Sequence, residues 1–229
     1  MGVRSNATLG AHIVQRQKPL IVAALGARGT GKSAWCKREL DRVKPPRLAV
    51  WDLMREYQGP EAFDDLGGFV RALKAPRFAL AFRPSREESV RLAQFDIFCR
   101  AILAAGRLVA MVEELAFVTT PSKAPPAWRE VTLLGRHEDH QLTIYGTSQR
   151  PASIDKDFLA NCDLVHCGRL AYEPDAAKAA MVLGVRADEL LRLPDLAWVE
   201  RRAGDVEATR GQLNFTAKPV PKKGPKARA

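Results

Sequence analysis

Eight residues near the start of the chain have the types and spacing that bind phosphate. They read Gly-Ala-Arg-Gly-Thr-Gly-Lys-Ser, a G-x-x-x-x-G-K-[ST] pattern, directly behind the apolar run 20–25. Glycines let the backbone curl so that successive N–H groups point at an anion. Lys32 would place its charge on the outer phosphates of a nucleoside triphosphate, and the Ser33 hydroxyl would bind Mg²⁺. The expected ligands are ATP and Mg²⁺. The predicted cradle consists of Gly26, Ala27, Arg28, Gly29, Thr30, Gly31, Lys32 and Ser33.

Two adjacent carboxylates follow a second apolar run. Glu113 and Glu114 come directly after residues 108–112, which read Leu-Val-Ala-Met-Val. In nucleotide hydrolysis one carboxylate holds Mg²⁺, usually through water, while a second orients and polarises the attacking water. We assign Glu113 to the metal side and Glu114 to the water. A charge pair at the mouth of a buried strand is costly without a cation nearby, which favours this assignment over a solvated acidic turn.

A glutamine and an arginine follow a third apolar run. The predicted strand 141–145 continues into residues 146–151, which read Gly-Thr-Ser-Gln-Arg-Pro. Gln149 can sense the γ-phosphate or hold the attacking water, and we count it with Lys32 and Glu114 as a catalytic candidate. Arg150 is a fixed cation that can stabilise charge during phosphoryl transfer, within one subunit or across an interface. A structural ion pair is the alternative role for Arg150.

Strands that alternate with helices must position these residues. Such alternation predicts an α/β fold, in which a mostly parallel sheet carries helices on both faces. Ligands bind at the carboxyl ends of parallel strands, so we expect the glycine loop, Asp52, Glu113, Glu114 and residues 148–150 on one rim. The predicted strands are 19–25, 47–52, 77–82, 107–112, 141–145 and 163–167. The predicted helices are a helix from the glycine loop to 43, then 65–73, 86–105, 127–137, 175–183 and 187–191. We expect a loop at 54–65 and a C-terminal hairpin at 197–207, with Gly204 in its turn.

Length and charge divide the chain into three parts. The 229 residues suit one domain at 18–215, preceded by a segment at 1–17 and followed by a basic, Pro- and Lys-rich tail at 216–229 that we expect to be disordered. The net charge is +10, and no acidic residue follows Glu207. The tail either holds a nucleic acid backbone or only aids solubility. No apolar run approaches the roughly 20 residues of a membrane span, so we expect no membrane insertion and a cytoplasmic location.

Three segments resemble the FtsK–HerA superfamily of P-loop ATPases. The first is the glycine loop. The second is 50–57, where Asp52 and Glu56-Tyr57 are similar to the family's Asp-x-x-x-Glu-Tyr segment. The third joins Gly135-Arg136 to residues 147–151 and then Ile154-Asp155, which is similar to the signature Gly-Arg…Thr-Gln-Arg-Pro…Ile-Asp. The resemblance covers about residues 18–205. Glu113 stands where the family usually has Asp, and Ser148 interrupts the Thr-Gln-Arg-Pro order.

The resemblance implies a DNA-translocating or DNA-packaging ATPase. Its expected core is RecA-like, with an additional strand and a catalytic glutamate. Members form rings, often hexamers, that move double-stranded DNA through contacts to phosphates rather than to particular bases. The short form of this chain is most similar to viral and prophage packaging ATPases, with zonula occludens toxin-like proteins as relatives. This implies a capsid or portal-type partner and a place in the host cytoplasm or on the virion. A neighbouring subunit should donate an arginine finger, for which Arg136 and Arg150 are candidates; Asp52 and Glu56 are further candidate site residues.

Two other functions remain compatible with the residues. A nucleotide or small-molecule kinase can be built on the same scaffold, although Glu113, Glu114 and Gln149 favour water as the phosphate acceptor. A nucleotide-switched adaptor in virion or secretion assembly would bind ATP with little turnover. The replacement of the family's Asp by Glu113 keeps that alternative open.

Overall fold

The computed structural model describes residues 18–214. The predicted N-terminal segment 1–17, residue 215 and the predicted tail 216–229 lie outside the described residues. The strands are β1 (Ile21–Leu25), β2 (Arg47–Trp51), β3 (Glu61–Phe63), β4 (Phe78–Phe82), β5 (Val109–Val112), β6 (Thr143–Ser148), β7 (Leu164–Gly168), β8 (Ala197–Arg202) and β9 (Thr209–Gln212). The helices are α1 (Lys32–Val43), α2 (Leu66–Ala72), α3 (Glu88–Ala105), α4 (Pro126–Leu134), α5 (Lys156–Ala160), α6 (Glu173–Leu183) and α7 (Ala187–Arg192). Short 3₁₀ turns lie at Leu115–Phe117 and Pro151–Ser153. Between residues 18 and 214 we find no helix with the length and apolarity needed to span a membrane.

All of the described strands join one sheet in the order β3-β4-β2-β5-β6-β1-β7-β8-β9. The strands from β3 to β7 in this order are parallel, and β8 and β9 form an antiparallel hairpin at one edge. Strand β6 lies between β1, which carries the glycine loop, and β5, which carries the two glutamates. The predicted α/β class, the mostly parallel sheet, the additional strand and the C-terminal hairpin are therefore confirmed.

Helices cover both faces of this sheet. Successive side chains of a strand point to opposite faces, and in β1 both sets are buried: Ile21 belongs to the larger hydrophobic cluster and Val22 to the smaller one. Helix α3 contributes Phe98 to the larger cluster, and helix α1 contributes Trp35 to the smaller one. A parallel sheet buried in this way explains the continuous apolar runs in the sequence.

Aromatic rings fix the end of β2. Trp51 is fully buried, with ring centroids of Phe82, Phe95 and Phe98 at 5.7, 5.0 and 5.3 Å. Tilted and edge-on ring pairs at these separations add stability beyond the area they bury. Trp51 is the last residue of β2, so its packing holds the adjacent Asp52 in place.

The C-terminal hairpin holds helix α1 against the sheet. The Trp35 ring of α1 stacks on His166 of β7 with a centroid distance of 4.1 Å, and Trp198 of β8 lies 5.4 Å beyond. Burial lowers the pKa of His166, with the Glu200 carboxylate opposing that shift, so a neutral ring suits this stack. Leu213 also packs so close to Gly31 that a Cβ there would lie 2.6 Å from Leu213 Cδ1. The hairpin therefore helps position the start of α1.

The structure corrects several predicted bounds. Strand β3 lies inside the predicted loop 54–65, and the short helix α5 has no predicted counterpart. The hairpin extends to Gln212 rather than to 207. Strand β3 was not predicted because Glu61 and Ala62 are exposed and Phe63 is its only partly buried residue. Periodicity reports burial, so a three-residue exposed strand leaves no pattern.

Gly146 provides a test of packing beneath the rim. A Cβ on Gly146 would lie 2.5 Å from Phe158 Cζ and 2.6 Å from Leu115 Cδ1. We expect Gly146→Ala to lower the free energy of unfolding by about 1–3 kcal/mol, because the extra methyl group overpacks this contact. Denaturant unfolding measures the change. Gly59→Ala is the matched control, since nothing lies within 4 Å of its added Cβ. Equal stability of the two variants would contradict the packing described here.

Candidate active site

The glycine loop adopts backbone angles that need glycine. Gly26, Gly29 and Gly31 have φ of +147°, +80° and +92°. A Cβ on Gly26 would also lie 2.6 Å from Thr30 Oγ1, and that hydroxyl donates to the Ala27 carbonyl at 2.8 Å. The side chain of Thr30 therefore closes the loop from inside, and the glycines supply the curvature that the sequence pattern predicts.

The ends of two neighbouring strands hold the loop. The Gly26 N–H donates to the Ser148 carbonyl at 3.2 Å, where β6 ends. The Ala27 N–H donates to the Arg169 carbonyl at 2.8 Å, just beyond β7. The loop is thus anchored at the carboxyl edge of the sheet, as expected for a ligand site in a parallel α/β fold.

Unused backbone donors lie at the start of α1. The N–H groups of Gly29, Gly31, Lys32 and Ser33 donate to no acceptor among residues 18–214. The first turn of a helix always leaves such donors, and its dipole adds partial positive charge there. Lys32 contributes a full charge at the same place. These groups together form an anion site that fits a chain of phosphates.

The three predicted catalytic residues meet at Glu114, which contacts both Lys32 and Gln149. Lys32 Nζ lies 3.4 Å from Glu114 Oε1, and both side chains are buried. Gln149 donates to both carboxylate oxygens of Glu114: its side-chain Nε2 to Oε1 and its backbone N–H to Oε2, each at 3.1 Å. Three strand ends, those of β1, β5 and β6, therefore bring Lys32, Glu114 and Gln149 into one group.

The backbone of Glu114 sits in the left-handed region, at φ 48° and ψ 65°. A non-glycine residue pays roughly 1–3 kcal/mol for such a conformation, and it persists only where its surroundings enforce it. Here the Glu114 N–H donates to Thr147 Oγ1 at 3.0 Å, from the adjacent strand β6. This turn separates the two glutamates, so that Glu114 meets Lys32 while Glu113 meets a different group.

Glu113 pairs with a second carboxylate. It is 4% exposed, its Oε2 accepts the Met54 N–H at 3.0 Å, and the Asp52 carboxylate lies close enough to raise its pKa. Burial raises the pKa of Glu113 above its ordinary value, the Met54 N–H opposes that shift, and Asp52 and Glu56 add to it. Two buried carboxylates in contact favour either a shared proton or a bound cation.

Asp52 is the other half of this pair. Its side chain is fully buried, and Oδ1 accepts the Glu56 N–H at 2.8 Å and the Tyr57 N–H at 3.4 Å. Its Oδ2 has no hydrogen-bond partner, and Arg83 Nε lies 3.9 Å away. Glu56 itself is exposed. Asp52 therefore belongs to the site, whereas Glu56 reaches it through its backbone.

The donor set fits Mg²⁺ of the kind that accompanies a nucleotide. An unpartnered carboxylate oxygen on Asp52 and the partly exposed Ser33 hydroxyl are hard oxygen donors, and Glu113 adds a carboxylate. Among residues 18–214 no group of three or more His, Cys, Asp and Glu side chains has the arrangement of a metal site. Mg²⁺ that takes most of its ligands from phosphates and water does not require such a group of protein side chains.

The arginine candidates are held within their own chain. Arg150 Nε lies 2.7 Å from Asp175 Oδ2, and its guanidinium lies 5.0 Å from the Tyr172 ring centroid. Asp175 is 1% exposed and its Oδ1 also accepts the Ala152 N–H. Arg150 thus forms the structural ion pair considered as its alternative role.

Arg136 lies at the edge of the sheet opposite the glycine loop. Its Nη1 is 2.7 Å from Asp163 Oδ1, while Asp163 Oδ2 accepts the N–H of Ile21. That places Arg136 at the amino-terminal edge of β1, opposite the glycine loop. Arg28 is exposed on the loop itself.

Sequence reasoning missed several residues around the site. Thr147 accepts the Glu114 N–H, Asp175 fixes the segment after Gln149, and Arg83 faces Asp52. Each contact joins residues more than 20 positions apart. Thr147 and Arg83 lie at or beside strand ends, but that position does not distinguish them from other polar residues, and Asp175 lies inside α6.

A curated protein from a virus is similar over most of this chain. Protein P9 of Pseudoalteromonas phage PM2 is 33% identical over 155 residues, which cover 64% of this chain. The chain spans 66% of the length of that phage protein. No protein-family model matches the chain.

Solved structures share the fold at low sequence identity. The genome packaging NTPase B204 of Sulfolobus turreted icosahedral virus 2, in complex with AMPPCP, superposes with a TM-score of 0.68 at 16% identity, covering 86% of this chain and 98% of its own. VirB4 of Thermoanaerobacter pseudethanolicus follows with a TM-score of 0.61 at 14% identity, covering 86% and 90%. The chain has the P-loop NTPase fold of these structures. The predicted resemblance and fold class are confirmed.

Thr147 tests how the Glu114 turn is held. Thr147→Val keeps the shape of the side chain but removes the acceptor of the buried Glu114 N–H. We expect a loss of about 1–3 kcal/mol in the free energy of unfolding, because that donor is then unsatisfied. Denaturant unfolding measures it. Thr147→Ser keeps the hydroxyl and is the control; if Val and Ser variants were equally stable, the hydrogen bond would not be holding the turn.

Proposed function

We propose that the chain is an ATP-hydrolysing, DNA-translocating motor of the FtsK–HerA type that packages a viral genome. The observation that carries this proposal is the buried contact of Lys32 with Glu114 and of Glu114 with Gln149, beside the unused donors of the glycine loop. It joins a phosphate-binding cation to a carboxylate that can polarise water. The likeness to a genome packaging NTPase and to a phage protein supports the same class.

ATP would be held through its phosphates. The free N–H groups of Gly29, Gly31, Lys32 and Ser33 would donate to phosphate oxygens. The Lys32 side chain would contact the outer phosphates. Lys32 now lies 3.4 Å from Glu114, so a γ-phosphate would compete for the same ammonium group. Nucleotide binding would therefore draw Lys32 away and leave the Glu114 carboxylate available to a water.

Ser33 and Glu113 would hold Mg²⁺, with Asp52 beside Glu113. When bound, Mg²⁺ would offset the negative charge that the phosphates carry during transfer. Glu113 is longer than the aspartate of the family by one methylene group. One of its carboxylate oxygens is held by the Met54 N–H at 3.0 Å.

Glu114 would act as the general base toward water. Gln149 fixes both of its oxygens, and Thr147 fixes its backbone, so the carboxylate is oriented before the nucleotide binds. Gln149 directly follows β6 and precedes residues 150–153. A movement of Gln149 on loss of the γ-phosphate would therefore also move those residues. This arrangement favours water as the acceptor, and thus hydrolysis over a kinase reaction.

The partners follow from the proposed class. We propose a ring of identical chains around double-stranded DNA, with contacts to phosphates and without sequence preference, acting with a capsid or portal-type protein in the host cytoplasm or at the virion. Arg150 remains our finger candidate because it adjoins Gln149. To reach a neighbouring site it would have to leave Asp175. Arg136 would have to act from the opposite edge of the subunit.

Phosphate release with and without double-stranded DNA tests the proposal. We expect DNA to stimulate hydrolysis, and Glu114→Gln to lower kcat about 10²- to 10⁴-fold with ATP binding retained, because only the base is lost. Lys32→Ala should weaken ATP binding itself. Glu130→Gln, a carboxylate change on the exposed face of α4, is the control and should leave both properties unchanged.

Two results would count against this function. Stoichiometric transfer of phosphate to a metabolite, with little free phosphate, would indicate a kinase. Tight ATP binding with negligible turnover, also in the presence of DNA, would indicate a nucleotide-switched adaptor.

A further inference from the structure

An open cleft lined by arginines lies beside the active site. Its volume is about 390 Å³, and it lies beyond the carboxyl ends of β2 and β4. Arg55, Arg83 and Arg86 line it, together with the polar side chains of Ser85 and Gln94. We call it the arginine cleft. Neither the glycine loop nor the Lys32–Glu114–Gln149 group lines the arginine cleft. The proposed nucleotide site therefore does not explain why these arginines are there.

The cleft arginines keep most of their hydrogen-bonding capacity. Arg55 Nη2 is 3.8 Å from Asp64 Oδ1, and Arg83 Nε is 3.9 Å from Asp52 Oδ2, both too long for hydrogen bonds. Arg83 Nε is buried and has no partner within the described chain. Arg86 forms no ion pair with any residue of 18–214. By contrast, Arg150 meets Asp175 at 2.7 Å.

Such guanidinium groups suit a phosphate ligand. The planar fork of arginine matches phosphate oxygens, and charge-assisted bonds of this type are among the strongest in proteins. The loop that carries Arg83 and Arg86 is also fixed in place, since the Ser85 N–H donates to Gln94 Oε1 at 2.8 Å. Asp64 is the one acidic lining residue; its side chain is 74% exposed and it faces Arg55, leaving Arg83 and Arg86 in excess.

We propose that the arginine cleft binds the phosphodiester backbone of duplex DNA. This inference rests on the proposed function and assigns the DNA contact to one place on the surface. Because phosphates carry no sequence information, binding here is independent of sequence and falls steeply with salt.

Two contacts connect the arginine cleft to the glutamates of the active site. Arg83 faces Asp52, and the Asp52 carboxylate lies close enough to Glu113 to raise its pKa. Buried Arg91 donates to the Arg86 carbonyl at 2.8 Å and to the Phe117 carbonyl at 3.3 Å, in the turn that follows Glu114. A phosphate drawn into the arginine cleft would therefore act on both acids, which gives DNA a route to hydrolysis.

The test compares two double variants of the full chain. Arg55→Gln/Arg86→Gln removes two charges from the arginine cleft. Arg77→Gln/Arg107→Gln removes two charges from exposed arginines just before β4 and β5, at the opposite edge of the same sheet. Fluorescence anisotropy with a short random-sequence duplex, at several salt concentrations, gives affinity and its salt dependence. Binding of a fluorescent ATP analogue and DNA-free phosphate release check the nucleotide site.

We expect the cleft variant to bind duplex DNA about tenfold more weakly than the control variant. Its slope of log affinity against log salt should be shallower by about 1.8, since each lost phosphate contact removes about 0.9. ATP-analogue binding and DNA-free hydrolysis should match the wild type. DNA stimulation of hydrolysis should then need correspondingly more DNA.

Three results would overturn the assignment. Equal DNA affinity and equal salt slope in the two double variants would place the DNA contact elsewhere, while the proposed function stands. Unchanged DNA affinity with a fall in DNA-free hydrolysis would assign the cleft arginines to the nucleotide of a neighbouring subunit. If the wild type itself bound no duplex at low salt, the proposed function would fail and this assignment with it.

Discussion

The contact between Lys32 and Glu114 depends on the order of three strands. Lys32 follows β1 and Glu114 follows β5, and these strands are not neighbours, because β6 lies between them. The 3.4 Å ion pair therefore passes over the end of β6, where Gln149 supplies two further hydrogen bonds. A strand order that moved β5 further from β1 would separate the phosphate-binding cation from the base. The sheet topology is thus a requirement of the chemistry and not only a scaffold.

Close packing at Gly146 allows the Lys32–Glu114 ion pair to pass over the end of β6. Gly146 pairs with Ala23 of β1 and with Val112 of β5, so it marks the same level in all three strands. Its missing side chain leaves room for Leu115, the residue after Glu114, and for Phe158 of α5. The strained turn at Glu114 is therefore supported from below by Leu115 and from the side by Thr147. Burial and one hydrogen bond offset the cost of a left-handed glutamate.

The sequence predicted the parts of the site that depend on local order. A glycine loop behind an apolar run, two acids at the end of another, and a Gln-Arg pair after a third all follow from the rule that parallel strands end at one edge. The contacts of Lys32 and Gln149 with Glu114 agree with that prediction. The additional strand followed from the family resemblance, since nothing in the periodicity of residues 141–148 gives its place between β1 and β5.

Contacts between segments that are distant in the sequence could not be predicted from it. Asp52 was a strand-end candidate, yet its place beside Glu113 depends on the register of β2 beside β5, and its neighbour Arg83 follows β4. The sequence did not predict the exposed strand β3 and the short helix α5 for a different reason. Both are too short to show a period, and β3 is held by backbone pairing that side-chain patterns do not report.

Arginine shows most clearly why residue type alone does not assign a role. Arg136 and Arg150 have the more informative sequence positions, but each ends 2.7 Å from a carboxylate of its own chain, and Asp175 would be left buried without its cation if Arg150 moved. A buried carboxylate that loses its partner is costly, which opposes the release of Arg150. The arginines of the cleft have partners at 3.8 Å or beyond, or no ionic partner in the described chain. In this chain the distance to the nearest acid separates the arginines held by close ion pairs from those left available to a ligand. That distance is set by strands far apart in the sequence.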